Sequence, residues 1–172
     1  MSETRQLEPQ IVWNHFEDLN AVPRPSKKEE AVVAWMIEFG KNLGLETVCD
    51  DCVAPGLGNV VIKKPATSGM EDRPTVVLQS HLDMVHQKNN DTDFDFSTQG
   101  IQSYIDGEWV KARGTTLGAD NGMGVAATMA VLSSTDIKHP AIEALFTVDE
   151  ETGMTGAINI DNSKLGITGS IM

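Results

Sequence analysis

The sequence predicts an α/β fold, a layered central sheet with flanking helices. Three observations carry this reading. Apolar stripes at helical spacing near the N-terminus give way to a series of short β-rich runs. Two of those runs, Thr75–Gln79 and Ile142–Val148, are apolar without alternation, as strands of buried sheets are. The 172 residues, 40% of them apolar, suffice for one domain that buries about 70% of its unfolded-chain surface without disulfides or a structural metal.

The elements follow in order. Residues 8–20 predict a helix, with Ile11, Val12, His15, Phe16 and Leu19 on one face. His15 lies on that stripe and reads as a packing residue. Pro23-Arg24-Pro25 stops the helix. Ser26 and Glu29 have capping-box spacing. The helix they introduce carries Val32, Trp35, Met36, Phe39 and Leu43 and closes at Gly44. Residues 45–49 and 59–63 predict short strands around the Pro55–Gly58 turn, and 64–74 a loop. After the strand at 75–79, the polar stretch 86–100 predicts a loop and Asp106-Gly107 a hairpin turn. Val125–Leu132 predicts a buried helix behind a glycine-rich loop. Ile142–Val148 is a core strand, followed by a loop with a short helix. Ile167–Met172 starts a further strand, and an apolar run at the last residue reads as a domain incomplete at its C-terminus.

The formal net charge of −12 opposes binding to phosphate backbones and anionic lipid, so neither nucleic acid nor membrane is an expected partner. No apolar stretch reaches 18 residues, and Met1–Gln10 lacks the apolar core of a signal peptide, so the cytoplasm is the expected location. Cys49 and Cys52 form a C-x-x-C without the second pair that a zinc ribbon needs. Pro55, Gly56 and Gly58 follow it where a redox motif would open a helix.

Chemistry concentrates in three places. His81-x-Asp83 follows one core strand, Asp149-Glu150-Glu151 follows another, and Asp120 lies in the glycine-rich loop. Ligands of α/β sheets bind outside the carboxyl ends of strands, so parallel strands would make the three clusters converge. In extended backbone, residues 81 and 83 point to one side, which lets Asp83 hold the ring of a metal-binding His81. Glu150 and Glu151 would then point apart, one to ligate and one to handle a proton. Imidazole with carboxylates suits zinc, and manganese or cobalt less specifically. Each cluster alone is commonplace: H-x-D is frequent, D-E-E is usually a solvated turn, and Asp-Asn-Gly is turn chemistry. Their joint occurrence at core-element ends points to metal-assisted hydrolysis.

Four stretches resemble the M20 family of dinuclear zinc peptidases, in its aminoacyl-histidine dipeptidase branch. They are Val76–Val85, Asp106–Val110, Gly114–Gly122 with the run G-T-T-L-G-A-D-N-G, and Asp149–Ala157. The resemblance covers residues 7–160. It implies a two-zinc hydrolase of short peptides with C-terminal histidine, such as β-alanyl-histidine, with Co2+ or Mn2+ as alternative metals. It implies that His81 is a ligand of the first metal, Asp120 the bridging carboxylate and Glu151 a ligand of the second metal. Asp83 and Glu150 would be the catalytic pair, Asp83 orienting His81 and Glu150 acting as general base. It also implies a cis peptide bond between Asp120 and Asn121.

The same resemblance makes residues 1–172 the N-terminal part of a catalytic domain, without the lid and dimerisation domain through which complete family enzymes pair. One further carboxylate and one further histidine of the family's ligand set have no counterpart here, so the isolated chain is expected to be inactive. His86 stands where the family shows proline and reads as a loop residue. The competing readings are a non-catalytic truncated fragment or metal-binding domain, and an M20 tripeptidase or amidohydrolase, against which Met123 and the glycine loop count.

Overall fold

The computed structural model describes residues 2–171. After a 3-10 turn at Glu3–Gln6, α1 spans Gln10–Asn20 with Pro9 at its N-cap, and α2 spans Glu30–Asn42. Then come β1 (Glu46–Cys49), β2 (Val60–Lys64) and β3 (Val76–His81). The hairpin β4 (Ser103–Asp106) and β5 (Trp109–Ala112) turns at Asp106-Gly107 as the sequence predicts. It precedes α3 (Ala119–Ser133) and β6 (Ile142–Thr147). Three one-turn helices, α4 (Glu150–Gly153), α5 (Thr155–Ile158) and α6 (Asn162–Leu165), lead to β7 (Ser170–Ile171). Met172, the last residue of the strand expected at 167–172, lies outside the described residues.

The main sheet has the order β1-β2-β6-β3-β7. β1 and β2 join antiparallel, as do β2 and β6, while β6, β3 and β7 run parallel. The register pairs Val76 with Ile142 and His81 with Thr147, so β3 and β6 end side by side. Alternate residues face opposite sides of the sheet. Val60, Ile62, Ala144 and Phe146 pack with Leu19, Val32, Val33, Met36, Val125 and Met129 beneath the helices. Val61, Val77 and Leu145 face the other side, where Leu165 covers them. Every residue of β6 is buried, which accounts for its unalternated apolar sequence.

Two local expectations fail. Ser26 and Glu29 do not cap α2, whose N-cap is Glu29 itself with no side-chain bond. The Ser26 hydroxyl donates instead to Asp83 Oδ2 at 2.8 Å, and the Glu29 carboxylate accepts the Asp149 amide at 3.0 Å. Water can serve exposed helix-end amides, whereas the buried groups at 57 and 120 residues' separation are out of its reach, so the long-range bonds win. Nor is the backbone extended through Asp149–Glu151. Asp149 takes a left-handed conformation (φ 51°, ψ 46°) and Glu150 begins α4. The two glutamates therefore sit on one helical turn at the strand end, and both face the same site.

Candidate metal centre

The parallel ends of β3 and β6 bring the three sequence clusters together. His81 is the last residue of β3 and is buried. Asp120 comes from the break in α3, where Asp120 and Asn121 depart from helical backbone and their peptide bond is cis. Glu150 and Glu151 start α4. One donor atom from each of His81, Asp120 and Glu151 lies within 4.8 Å of the others. The Asp120 carboxylate, 86% exposed, sits 3.1 Å from His81 Nε2, and Glu150 Oε2 lies 3.8 Å from the same nitrogen. An imidazole and two carboxylates at this spacing, with a third carboxylate beside them, form a donor set that fits a first-row divalent cation.

Asp83 is fully buried and works from below. Its Oδ1 is 3.3 Å from His81 Nδ1, which also lies 3.1 Å from the Asp83 carbonyl oxygen. Nε2 is thereby turned toward Asp120. The same carboxylate accepts the amides of Glu150 (3.0 Å) and Glu151 (3.2 Å) and the Ser26 hydroxyl. Burial alone would raise its pKa. The His81 hydrogen bond, the two amides and the hydroxyl outweigh burial and hold it at about 2. His81 shows the complementary balance: burial lowers its pKa, but bonds and charge from Asp83, then Asp120 and Glu150, raise it to about 8. Burial raises Glu151, with the charges of Asp120, Glu150 and Asp83 adding to it against the opposing pull of His81.

The structure thus brings together all five residues singled out in the sequence, His81, Asp83, Asp120, Glu150 and Glu151. Three supporting residues, Arg24, Ser26 and Glu29, escaped that reading. Glu29, Asp83 and Asp149 form a second group with oxygens within 4.8 Å, all buried. Asp149 also accepts the hydroxyls of Thr152 and Thr155, which fixes the turn into α4. Ser26, Glu29 and Arg24 carried only local signals, a capping box and a helix stop. A charged residue clamped between two prolines was the one hint that this segment turns inward. His86 is exposed, with its ring edge against Phe96, and Cys49 and Cys52 are free thiols whose pKa values burial pushes up, Cys52 to about 11.

Glu29 yields a pH dependence. Burial raises its pKa from 4.5 to about 7, with the charge of Asp83 adding to this and backbone amides opposing it. Between those values the folded state binds more protons than the unfolded one. Stability therefore falls as pH rises through that window, and the loss is complete above about 7. Glu29→Gln keeps an acceptor for the Asp149 amide but carries no charge. We expect it to be neutral at pH 4 and to stabilise the chain by about 1–3 kcal/mol at pH 8. Chemical denaturation at both pH values checks this, and an equal effect at the two would refute it.

Three comparisons place this geometry among known proteins. The model of peptidase family M20/M25/M40 matches residues 77–168, which include every residue of the centre. The cytosol non-specific dipeptidase of Escherichia coli is 50% identical over 96% of this chain. The aminoacylhistidine dipeptidase of Vibrio alginolyticus superposes with a TM-score of 0.88 at 52% identity over 93% of it. The aminopeptidase PepT of Bacillus cereus superposes with a TM-score of 0.77 at 28% identity over 95%. The chain spans 33%, 32% and 42% of those three proteins.

Proposed function

Because the chain belongs to peptidase family M20/M25/M40, we propose that it is the N-terminal part of the catalytic domain of a metal-dependent dipeptidase. Its substrates are short peptides with a C-terminal histidine, β-alanyl-histidine among them. The observation that carries this reading is the convergence of His81, Asp120, Glu150 and Glu151 at the ends of two parallel strands, over a buried Asp83. The E. coli relative's name supports a cytosolic dipeptidase, and the Vibrio relative's name supports the histidine preference. Among the described residues no helix is long and apolar enough to cross a membrane.

His81, Asp120 and Glu151 would hold the cations. Zinc suits this donor set, with Co2+ or Mn2+ as substitutes. When bound, such a pair supplies Lewis acidity at the scissile carbonyl and lowers the pKa of water. The protein's own groups do the rest. Asp83 fixes the His81 ring. Glu150 takes the proton from the attacking water at a carboxylate oxygen and delivers it to the departing amine nitrogen. Three side chains would be too few to ligate two cations fully, so on this reading residues 1–172 by themselves would hydrolyse nothing, and a longer polypeptide, dimeric as complete family enzymes are, would supply the remaining donors.

A Co2+ titration followed by visible absorption, paired with a dipeptide panel, tests the reading. It is run at pH 8.5, where the proton on His81 competes least. We expect binding that His81→Ala weakens by more than about 100-fold, beyond the 10–100-fold typical of outer-shell partners. We expect no turnover by the 172-residue chain. The polypeptide extended to the length of its relatives should turn over alanyl-histidine and β-alanyl-histidine in preference to dipeptides lacking histidine. Cobalt binding indifferent to His81 would remove the metal reading, and equal rates across the panel would remove the histidine preference.

A further inference from the structure

The segment 23–29, between α1 and α2, lies against every stretch that carries the centre. Ser26 holds the Asp83 carboxylate and Glu29 holds the Asp149 amide. Arg24 does something neither of them does. It is 2% exposed, and its Nη1 donates to the carbonyl oxygens of Leu82 (3.1 Å) and Asp83 (3.3 Å), while Nη2 donates to that of Gly118 (2.7 Å). Leu82 and Asp83 directly follow His81, and Gly118 stands two residues before Asp120. One planar group therefore joins the chain leaving His81 to the chain entering Asp120, whose side chains meet at 3.1 Å.

The neighbouring sequence makes room for this bridge. A Cβ on Gly118 would fall 2.5 Å from Arg24 Nη2, and one on Gly122 would fall 2.8 Å from it. Gly118 also holds a left-handed backbone at φ 70°. The Arg24 main chain is pinned from the other side, its carbonyl accepting the Met84 amide at 3.1 Å. Burying a charge on carbonyl partners alone is costly, and hydrophobic packing between α1 and the sheet has no use for it. A guanidinium supplies a rigid fork that reaches several carbonyls at once, which the point charge of a lysine does not.

We propose that Arg24 is a positioning residue for the metal centre: by tying the Leu82 and Asp83 carbonyls to that of Gly118 it sets the separation of His81 and Asp120, and so the tightness of cation binding. This rests on the metal reading above.

The test uses Co2+ titrations of the wild-type chain, Arg24→Met, Arg24→Lys and Gly122→Ala. Each is run well below its own melting temperature, and the metal-free Tm is measured in parallel. Arg24→Met should bind Co2+ about 10–100-fold more weakly with an altered absorption band, and Arg24→Lys should recover part of the loss. Gly122→Ala retains the arginine and its charge, and alanine is the better helix former. It should nonetheless weaken Co2+ binding, because the added methyl falls 2.8 Å from the guanidinium; it also falls 2.9 Å from the Phe16 ring, so its Tm is read beside its affinity. If Arg24→Met does not fold, the other two variants carry the test. A lowered Tm with wild-type affinity and spectrum would make the arginine merely structural and overturn the proposal, as would failure of all three variants to fold. Absence of His81-dependent Co2+ binding in the wild type would instead overturn the metal reading, and this proposal with it.

Discussion

Glu150→Gln, in the polypeptide extended to the length of its relatives, is expected to lower kcat on β-alanyl-histidine by about 10²–10⁴-fold, the usual contribution of a positioned general base. Metal content should not change. The clustered donors are His81, Asp120 and Glu151, and Glu150 reaches the group only at 3.8 Å from His81 Nε2. Glutamine keeps the length and shape of the side chain and the amide that donates to Asp83, so neither α4 nor its anchor is disturbed. What is lost is the ability to take a proton. Stopped assays alongside metal analysis of the purified variant decide the matter. A kcat within a few-fold of wild type would assign the proton transfer to another group. Loss of metal along with activity would move Glu150 into the ligand set.

The second large effect is on stability. Asp83→Asn preserves volume but removes the charge that answers His81 and turns an amide group toward donors that all need acceptors. Four hydrogen bonds converge on this fully buried carboxylate, from His81, Ser26 and the amides of Glu150 and Glu151. Breaking a buried pair in this way costs about 3–5 kcal/mol. At roughly 2–4 °C per kcal/mol for a protein of this size, Tm should fall by about 10 °C. The native carboxylate's contribution is fully present above pH 3.8 and is lost as pH falls through about 2. The wild type and the variant should therefore converge in acid. Calorimetry at pH 7 and in strong acid checks both parts, and a Tm within 2 °C of wild type at pH 7 would show that Asp83 is not the anchor described (~1 kcal/mol).

The main-strand pattern and the residues of the centre were legible in the sequence for the same reason. β6 is buried along its whole length and β3 is flanked by strands on both sides, so their apolar runs stand out. His81 and Asp83, Glu150 and Glu151 are consecutive or nearly so with the ends of those runs, so strand ends and candidate ligands were located together. Asp120 was marked by its glycine-rich surroundings. The support beneath the centre was hidden because its signals have cheaper local explanations. Ser26 and Glu29 match a capping box, and only the fold shows that their partners lie far along the chain. Arg24 read as a helix stop because Pro23 and Pro25 flank it, and nothing local reveals three carbonyl acceptors, two of them in β3's exit and one beside α3. The antiparallel place of β2 against β6 was likewise out of reach, since a strand's own sequence does not name its neighbour. Asp149 was seen as part of an acidic run, but its left-handed backbone, which turns Glu150 and Glu151 to one side, follows from the bonds to Glu29, Thr152 and Thr155.

The paired register of β3 and β6 has one more implication, concerning length rather than chemistry. His81 sits opposite Thr147 because six residues of one strand run beside six of the other. Side chains alternate along a strand, so adding or deleting one residue within 76–81 or 142–147 would send every later side chain to the opposite face. His81 would then point away from Asp120, and the turn at Asp149 would open on the wrong side of the sheet. No such counting governs the exposed loops at 65–74 and 86–100, where the cost of extra chain grows only slowly. Drift in this protein's length therefore has room in those loops and almost none in the two strands. The spacing from Val76 to Asp83 and from Ile142 to Glu151 acts as a ruler cut to fit the centre.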